Sequence, residues 1–309
     1  MSSHFQVTAI IPVYNGAAYL EETLISVLET REYSNTEIIV VNDGSTDDTS
    51  EIIAKFGEKI KVINQLNQGQ ATSINNALKI ATSPYCSIVN CDDPIIDPEI
   101  FKKSIIEFNC HKNAVVTYPN WKMLDNLGRV LKEVKVSEYS QEELIGNFNC
   151  IVGPGAVFKL HEALLVGGWN SRFKYVPDYD FWLRMSEHGE FIKINEFLAS
   201  WRHHEKSISV SSKNFQMAEE RINVIRNFLN ESKTRYKFEK RALANSIYSA
   251  AILSAFDSTV NGRKLFIEAI RIYPLLLIKK KPKEVLFLIT YPMSSYIIKK
   301  FNFKPRNYS

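Results

Sequence analysis

Residues 7–15 read Val-Thr-Ala-Ile-Ile-Pro-Val-Tyr-Asn, an apolar run that ends abruptly in polar groups. Such a run without polar alternation predicts a strand that is buried on both faces, as in a parallel sheet. Four further short runs share this character: Glu37 to Val41, Ile60 to Ile63, Tyr85 to Val89 and Ala114 to Tyr118. We therefore predict a mostly parallel central sheet.

Amphipathic segments separate these predicted strands. Apolar residues recur at helical spacing in residues 19–28 and 74–81, which predicts helices there. Alternating strands and helices favour an α/β fold, a single-domain sheet flanked by helices. After a mixed region that includes a predicted helix at about 179–188, the sequence looks helical from residue 214. We place the domains at 1–210 and 211–309.

Polar groups follow the predicted strands at 14–15, 42–45 and 90–93. Ligands of open α/β sheets bind beyond the carboxyl ends of the strands, so these groups are candidate site residues. Residues 88–93 read Ile-Val-Asn-Cys-Asp-Asp, and such oxygen ligands suit Mg²⁺ or Mn²⁺. An acidic turn before a helix that starts near Asp97 is the alternative.

Charge is distributed unevenly along the chain. Residues 1–210 carry 19 Lys and Arg against 27 Asp and Glu, whereas residues 211–309 carry 19 against 7. A basic second part predicts an anionic partner such as a membrane surface or nucleic acid.

The four cysteines form no C-x-x-C pair and have no histidines at zinc-finger spacing. This favours a reducing cytoplasm over a disulfide framework. No Lys or Arg precedes Arg31, so we expect no signal peptide at the start of the sequence.

Six motifs in fixed order resemble family 2 glycosyltransferases of the GT-A fold, of the bacterial surface-polysaccharide type. The resemblance covers about residues 5–210. The motifs are Val-Thr-Ala-Ile-Ile-Pro-Val-Tyr-Asn-Gly, Glu-Ile-Ile-Val-Val-Asn-Asp-Gly-Ser-Thr-Asp-Asp-Thr, Asn-Gln-Gly-Gln-Ala-Thr-Ser-Ile-Asn-Asn-Ala, Asn-Cys-Asp-Asp, Pro-Asp-Tyr-Asp-Phe-Trp-Leu-Arg and Trp-Arg-His-His-Glu-Lys-Ser-Ile-Ser.

The resemblance implies a nucleotide site. Pro12 and Tyr14 would lie against a uridine-type base, and Asp43 would accept a hydrogen bond from the ring N–H. An ordinary strand-end tyrosine and an Asx turn before Gly44 are the alternatives. Asn75 would contact the nucleotide, although the family's preceding arginine is Ile74 here.

The resemblance also implies a metal site for Mn²⁺ or Mg²⁺. Asn90, Asp92 and Asp93 correspond to the D-x-D motif, with Asn90 in place of the first acidic residue. Asn90 and Asp92 would contact the nucleotide, and Asp92, Asp93 and His204 would bind the metal. His203 would then be a surface or outer imidazole.

Asp178 is implied as the general base, at the start of a helix and after Pro177. Asp180 is its rival and otherwise an acceptor contact, or it forms an ion pair with Arg184. Gly155 and Trp169 would line the sugar and acceptor, and a core position is the alternative for Trp169.

By resemblance, the function is inverting, metal-dependent transfer of one sugar from a UDP-sugar to a glycan or lipid-linked glycan. The processive Gln-x-x-Arg-Trp motif is absent from the sequence. The alternatives are a nucleotidyltransferase, which would need a Gly-rich basic loop after the first strand, and a weakly active scaffold that acts through its basic tail.

The C-terminal region predicts a peripheral position on the inner face of the cell membrane. Apolar blocks at 272–278 and 285–298 alternate with lysines, and neither reaches the ~20 residues that span a bilayer. Packing on the catalytic domain or in a homodimer is the alternative. Nucleic acid is disfavoured because the aromatic residues lie among aliphatic ones.

Overall fold

The computed structural model describes residues 5–204 and 214–280, together with Pro282, Glu284, Val285 and Leu288. It contains two compact units. The first comprises residues up to 139, 151–172 and 184–204, and the second comprises 140–150, 173–183 and the C-terminal region. Because the chain passes between these units several times, a single boundary at residue 210 stays a prediction.

All five predicted strands are present in the first unit, with three more after them. The strands are β1 Val7–Val13, β2 Thr36–Asp43, β3 Lys61–Gln65, β4 Tyr85–Ile88, β5 Ala114–Leu124, β6 Val130–Val134, β7 Val157–Lys159 and β8 Glu190–Arg202. The described residues form one sheet with the order β3-β2-β1-β4-β7-β5-β6, and β8 pairs with β5.

Strands β3, β2, β1 and β4 are parallel to one another, and the other strands of the sheet run in mixed directions. β7 is antiparallel to both β4 and β5, and β6 is antiparallel to β5, whereas β8 is parallel to it. Because β1, β2 and β4 run in the same direction, their carboxyl ends meet at one edge. The polar groups predicted from the sequence follow these ends.

Helices cover the sheet in the first unit and form most of the second. They are α1 Leu20–Glu29, α2 Thr49–Lys55, α3 Gln70–Ile80, α4 Ile100–Cys110, α5 Leu160–Leu165, α6 Pro177–Met185, α7 Asn214–Glu231, α8 Glu239–Asp257, α9 Thr259–Ile272 and α10 Leu276–Lys279. The α/β fold class and the helical C-terminal region are confirmed.

Every residue of β1 and β2 is buried, as their unbroken apolar sequences predict. Leu20, Leu24 and Val27 of α1 pack in the same core. Each such side chain contributes about 1.5–3 kcal/mol when it leaves water completely. The prediction of two buried faces is wrong for β3, because β3 is an edge strand with mostly exposed side chains.

β8 is a thirteen-residue strand that the sequence pattern did not predict. Its pairing with β5 shifts register at three points, and each shift breaks the alternation by which a strand is recognised. No helix in the described ranges has the length and apolar character needed to cross a bilayer. The predicted apolar block at 285–298 lies outside the described residues except for Val285 and Leu288.

Candidate functional site

The loop after β1 is bonded to the loop after β2. Asn15 N donates to Ser45 Oγ over 3.0 Å, and Asn15 Oδ1 accepts from Thr46 N over 2.8 Å. Asn15 has a φ of 52°, a left-handed conformation that asparagine tolerates better than most residues. At this turn Tyr14 is 51% exposed, whereas Pro12 is buried within β1. Tyr14 therefore presents an accessible ring at the edge of the sheet.

Asp43, at the end of β2, organises the segment that leads into α3. Its Oδ1 accepts from Gln65 Nε2 and Gln68 N, and its Oδ2 accepts from Gly69 N, each over 2.8 Å. A carboxylate accepts about four hydrogen bonds, so this buried group keeps roughly one acceptor position.

Asn90 and Asp93 form a bonded pair after β4. Asn90 Nδ2 donates to Asp93 Oδ2 over 2.9 Å, and Gln70 Nε2 donates to Asn90 Oδ1 over 3.0 Å. Asp93 Oδ1 accepts from Arg202 N over 2.7 Å. Burial, followed by the charge of Asp92, raises the pKa of the Asp93 carboxyl. Both Asp93 oxygens are thus occupied by bonds within the protein.

Asp92 meets His204, which lies just beyond β8. Asp92 Oδ2 and His204 Nε2 are 2.8 Å apart, and both side chains remain partly exposed. The Tyr19 ring lies 5.1 Å from the imidazole. The neighbouring His203 is exposed, and its backbone N–H donates to Leu124 O. The structure therefore brings His204, not His203, to the acidic motif.

The Asp92 carboxylate and the His204 imidazole are a donor set that fits a divalent cation. Carboxylate oxygen suits Mg²⁺ and Mn²⁺, and the imidazole nitrogen favours a transition metal such as Mn²⁺. Groups of three or more acidic, cysteine or histidine residues that would hold a metal do not occur in the described part of the chain. Two protein ligands fit a site that substrate phosphates complete, as in many Mg²⁺ sites.

Arg202 is the residue whose importance the sequence analysis missed. Its side chain is 1% exposed, and its guanidinium donates to Asp92 O over 2.9 Å and to Glu22 Oε2 over 2.7 Å. It also lies 4.9 Å from the centre of the Tyr19 ring. One signal was available: Arg202 directly follows the mostly apolar residues 197–201, and a charged residue buried in such a segment needs a partner. Arg202 therefore joins both the loop of residues 90–93 and helix α1 to the end of β8.

A small cavity lies beside Asn90 and Asp93. Its volume is about 20 Å³, room for one water molecule, and Phe101 and Gly155 contribute to its wall. Gly155 has a φ of 80°, and an added Cβ would lie 2.5 Å from Ala199 Cβ. Only glycine fits at this close approach of the backbone.

Asn75 on α3 binds the loop that carries Trp169. Its Nδ2 donates to Trp169 O and its Oδ1 accepts from Trp169 N, each over 2.8 Å. Trp169 is buried, which favours the core alternative over an open stacking face. The nucleotide contact of Asn75 and the sugar contact of Trp169 stay predictions.

Asp178 lies in the first turn of α6 and belongs to the second unit. Burial raises the pKa of its carboxyl, although backbone N–H groups at the start of the helix and the charge of Arg221 act in the opposite direction. Asp180 is buried, and its N–H donates to Val176 O. Tyr179 OH donates to Leu144 O, which fixes the helix within the second unit.

Residues 8–145 match the family described as Glycosyl transferase family 2. The match covers 138 of the 309 residues and identifies a family 2 glycosyltransferase domain within the chain. An uncharacterised glycosyltransferase of Rickettsia prowazekii is 33% identical over 184 residues, 58% of each chain. A poly-β-1,6-N-acetyl-D-glucosamine synthase of Staphylococcus epidermidis is 32% identical over 190 residues, 55% of this chain and 44% of the synthase.

The chain thus spans about half the length of these curated relatives. A structure of Staphylococcus aureus TarS 1–349 in complex with UDP-GlcNAc is similar, with a TM-score of 0.68. The similarity covers 91% of this chain and 87% of TarS 1–349, at 17% sequence identity. At this identity the likeness establishes the fold, which is that of GT-A glycosyltransferases.

Proposed function

We propose that the chain is an inverting, metal-dependent glycosyltransferase that moves one sugar from a UDP-sugar to a glycan or lipid-linked glycan. The contact between Asp92 and His204 at the carboxyl edge of the sheet carries this proposal. It provides a carboxylate and an imidazole for a cation that binds a diphosphate.

The donor nucleotide would bind at the loops after β1 and β2. The exposed ring of Tyr14 offers a face for a uracil base, and Pro12 supports the turn from within β1. The remaining acceptor position of Asp43 would take the ring N–H. A bound UDP-GlcNAc in the similar TarS 1–349 structure supports a uridine nucleotide here.

Asp92 and His204 would hold Mn²⁺ or Mg²⁺, and Asp93 stays a predicted third ligand. When bound, the cation neutralises the diphosphate and so stabilises its departure. Asn90 would contact the nucleotide, and its bond to Asp93 would orient both side chains.

Asp178 would act as the general base. The acceptor oxygen forms a bond to the anomeric carbon while the bond from that carbon to the diphosphate oxygen breaks. The bonding electrons leave with the nucleotide diphosphate, and the hydroxyl proton moves to an Asp178 carboxylate oxygen. Attack opposite the leaving group inverts the configuration.

Gly155 and Trp169 stay predicted sugar contacts, and Asp180 stays a predicted acceptor contact. A glycan acceptor agrees with the name of the Staphylococcus epidermidis relative, a synthase of a polymeric sugar. The absence of Gln-x-x-Arg-Trp from the sequence favours transfer of one sugar over processive synthesis.

We also propose that the second unit binds an anionic membrane surface, which would place the enzyme on the inner face of the cell membrane. On α9, Val260, Lys264, Ile267 and Arg271 follow helical spacing and are all exposed. On such a face the apolar side chains can enter the boundary of the lipid, and the cations can pair with anionic headgroups. A homodimer through this face is the competing outcome.

One experiment tests the proposed activity directly. The full chain is incubated with Mn²⁺ and a panel of UDP-sugars, and free UDP is measured with and without glycan acceptors. Slow release without acceptor and faster release with it are expected for a transferase. A scaffold would release no UDP with any donor.

A further inference from the structure

The chain just before α6 is held by a carboxylate from α7. Glu220 Oε1 and Oε2 accept from Lys174 N over 2.9 and 3.0 Å, and Glu220 Oε2 accepts from Tyr175 N over 2.6 Å. Hydrogen bonds from N–H groups to an ionised carboxylate are about twice as strong as neutral ones. Glu220 therefore fixes the backbone only three residues before Asp178.

Other contacts within the second unit hold the same segment to α7. Tyr175 OH donates to Gln216 Oε1 over 3.1 Å, and the Tyr175 ring packs against the apolar core of the second unit. Arg221, the residue after Glu220, is buried and donates through Nη1 to Ser249 Oγ of α8. The α7 helix is thus anchored on α8 and reaches the segment that leads into α6.

We propose that Glu220 of α7 is a positioning residue for Asp178, because its carboxylate holds the backbone from which α6 starts. This inference rests on the proposed role of Asp178 as the base. It assigns part of the C-terminal region to the catalytic step rather than to membrane attachment.

The physical reason is the short reach of proton transfer. A general base acts only within about 2.6–3.2 Å of the proton that it removes, and a misplacement of 1 Å costs roughly 10²-fold in rate. Asp178 lies in the first turn of α6, where a shift of the preceding backbone moves the carboxylate directly.

The charge of Arg221 acts on the same carboxylate. Burial disfavours the ionised form of Asp178, and Arg221 from α7 and the backbone N–H groups of Asp178 and Tyr179 oppose that effect. Burial, followed by the nearby Cys150, raises the pKa of the neighbouring Tyr179 hydroxyl, and the charge of Arg221 lowers it. Loss of the Arg221 cation would raise the pKa of Asp178 further.

The test uses the full-length protein and the UDP-sugar that the wild type turns over fastest. Glu220→Ala, Glu220→Gln and the exposed neighbour Glu219→Ala are compared for kcat and for the Kd of UDP with Mn²⁺. Glu220→Ala should lower kcat about 10-fold or more with unchanged Kd, because the base is misplaced, whereas Glu219→Ala should match the wild type. Glu220→Gln, which retains one acceptor oxygen, should lie between them.

A second pair of variants tests the charge of Arg221. Arg221→Gln should move the acid limb of the kcat profile to higher pH, and Arg221→Lys should restore it toward the wild-type position. An unchanged kcat in Glu220→Ala would overturn the inference, whatever the Arg221 variants show. If the wild type itself releases no UDP from any donor, the proposed function fails instead.

Discussion

Arg202 Nη2 donates to Glu22 Oε2 over 2.7 Å, and this ion pair joins the end of β8 to α1. The same guanidinium donates to the backbone carbonyl of Asp92, and this bond holds the loop of residues 90–93 in place. The position of the candidate metal ligand therefore depends on a residue 110 positions away in the sequence.

Arg202→Lys should destabilise the protein and weaken nucleotide binding together. A lysine cannot reproduce the bonds to Asp92 O and Glu22, and each lost bond to a charged or buried partner costs about 1–3 kcal/mol. Urea unfolding and calorimetry with UDP and Mn²⁺ measure the two effects. Arg129→Lys is the control, because Arg129 is exposed. Equal stability of both variants would contradict the assignment.

Asp92→Ala and His204→Ala should each remove most of the Mn²⁺-dependent part of UDP binding. Without its cation the diphosphate loses the charge that would neutralise it, so its affinity falls. His203→Ala is the matched control, because this adjacent histidine is exposed and its ring lies against Trp201, not Asp92. Calorimetry with and without Mn²⁺ separates the two histidines, and equal effects at both would place the metal elsewhere.

Asp178→Asn should leave the Kd of UDP nearly unchanged and slow transfer by roughly 10²-fold or more, the effect of losing a positioned base. The base must be ionised to accept a proton, and burial raises its pKa. In the wild type, kcat should therefore fall as the pH drops through a value above the usual aspartate range. If Asp180→Asn is the slower variant, the base is Asp180.

Gly168→Ala should destabilise the protein more than Gly167→Ala. Both glycines have positive φ, but a Cβ on Gly168 would lie 2.3 Å from Asn75 Oδ1, whereas a Cβ on Gly167 meets nothing within 4 Å. Backbone strain costs roughly 1–2 kcal/mol in each variant. The clash in Gly168→Ala should add about 1–3 kcal/mol. Urea unfolding midpoints test the difference, and equal midpoints would show that the Trp169 loop adapts freely.

Membrane binding should depend on the basic residues of α9. The double variant Lys264→Glu and Arg271→Glu should lose flotation with vesicles that contain anionic lipid, because each cation contributes on the order of 1 kcal/mol near such a surface. Lys55→Glu and Lys59→Glu in the first unit are the control. If the wild type stays at the bottom of the gradient at low salt and sediments as a dimer, the α9 face binds a second subunit instead of a membrane.

The sequence alone determined where strands β1 to β5 lie in the chain and which polar residues follow them. Unbroken apolar runs bury β1 and β2 on both faces, whereas β3 lies at the edge of the sheet, and a polar group directly after such a run lies at the end of its strand. Tyr14, Asp43 and Asp92 could therefore be placed at one edge from local pattern. The irregular β8 could not be found in this way, because its register shifts remove the alternation.

Only the tertiary structure decided how these side chains are used. It paired Asp92 with His204 rather than His203, turned Asp93 toward Arg202 and Asn90, and joined Asn75 to Trp169. It also connected the start of α6 to α7 through Glu220. Each of these bonds except that of Asn90 joins residues tens of positions apart, and local pattern carries no information on which distant donor meets which acceptor. That choice follows from the packing of strands and helices, which sets the few distances short enough for a hydrogen bond.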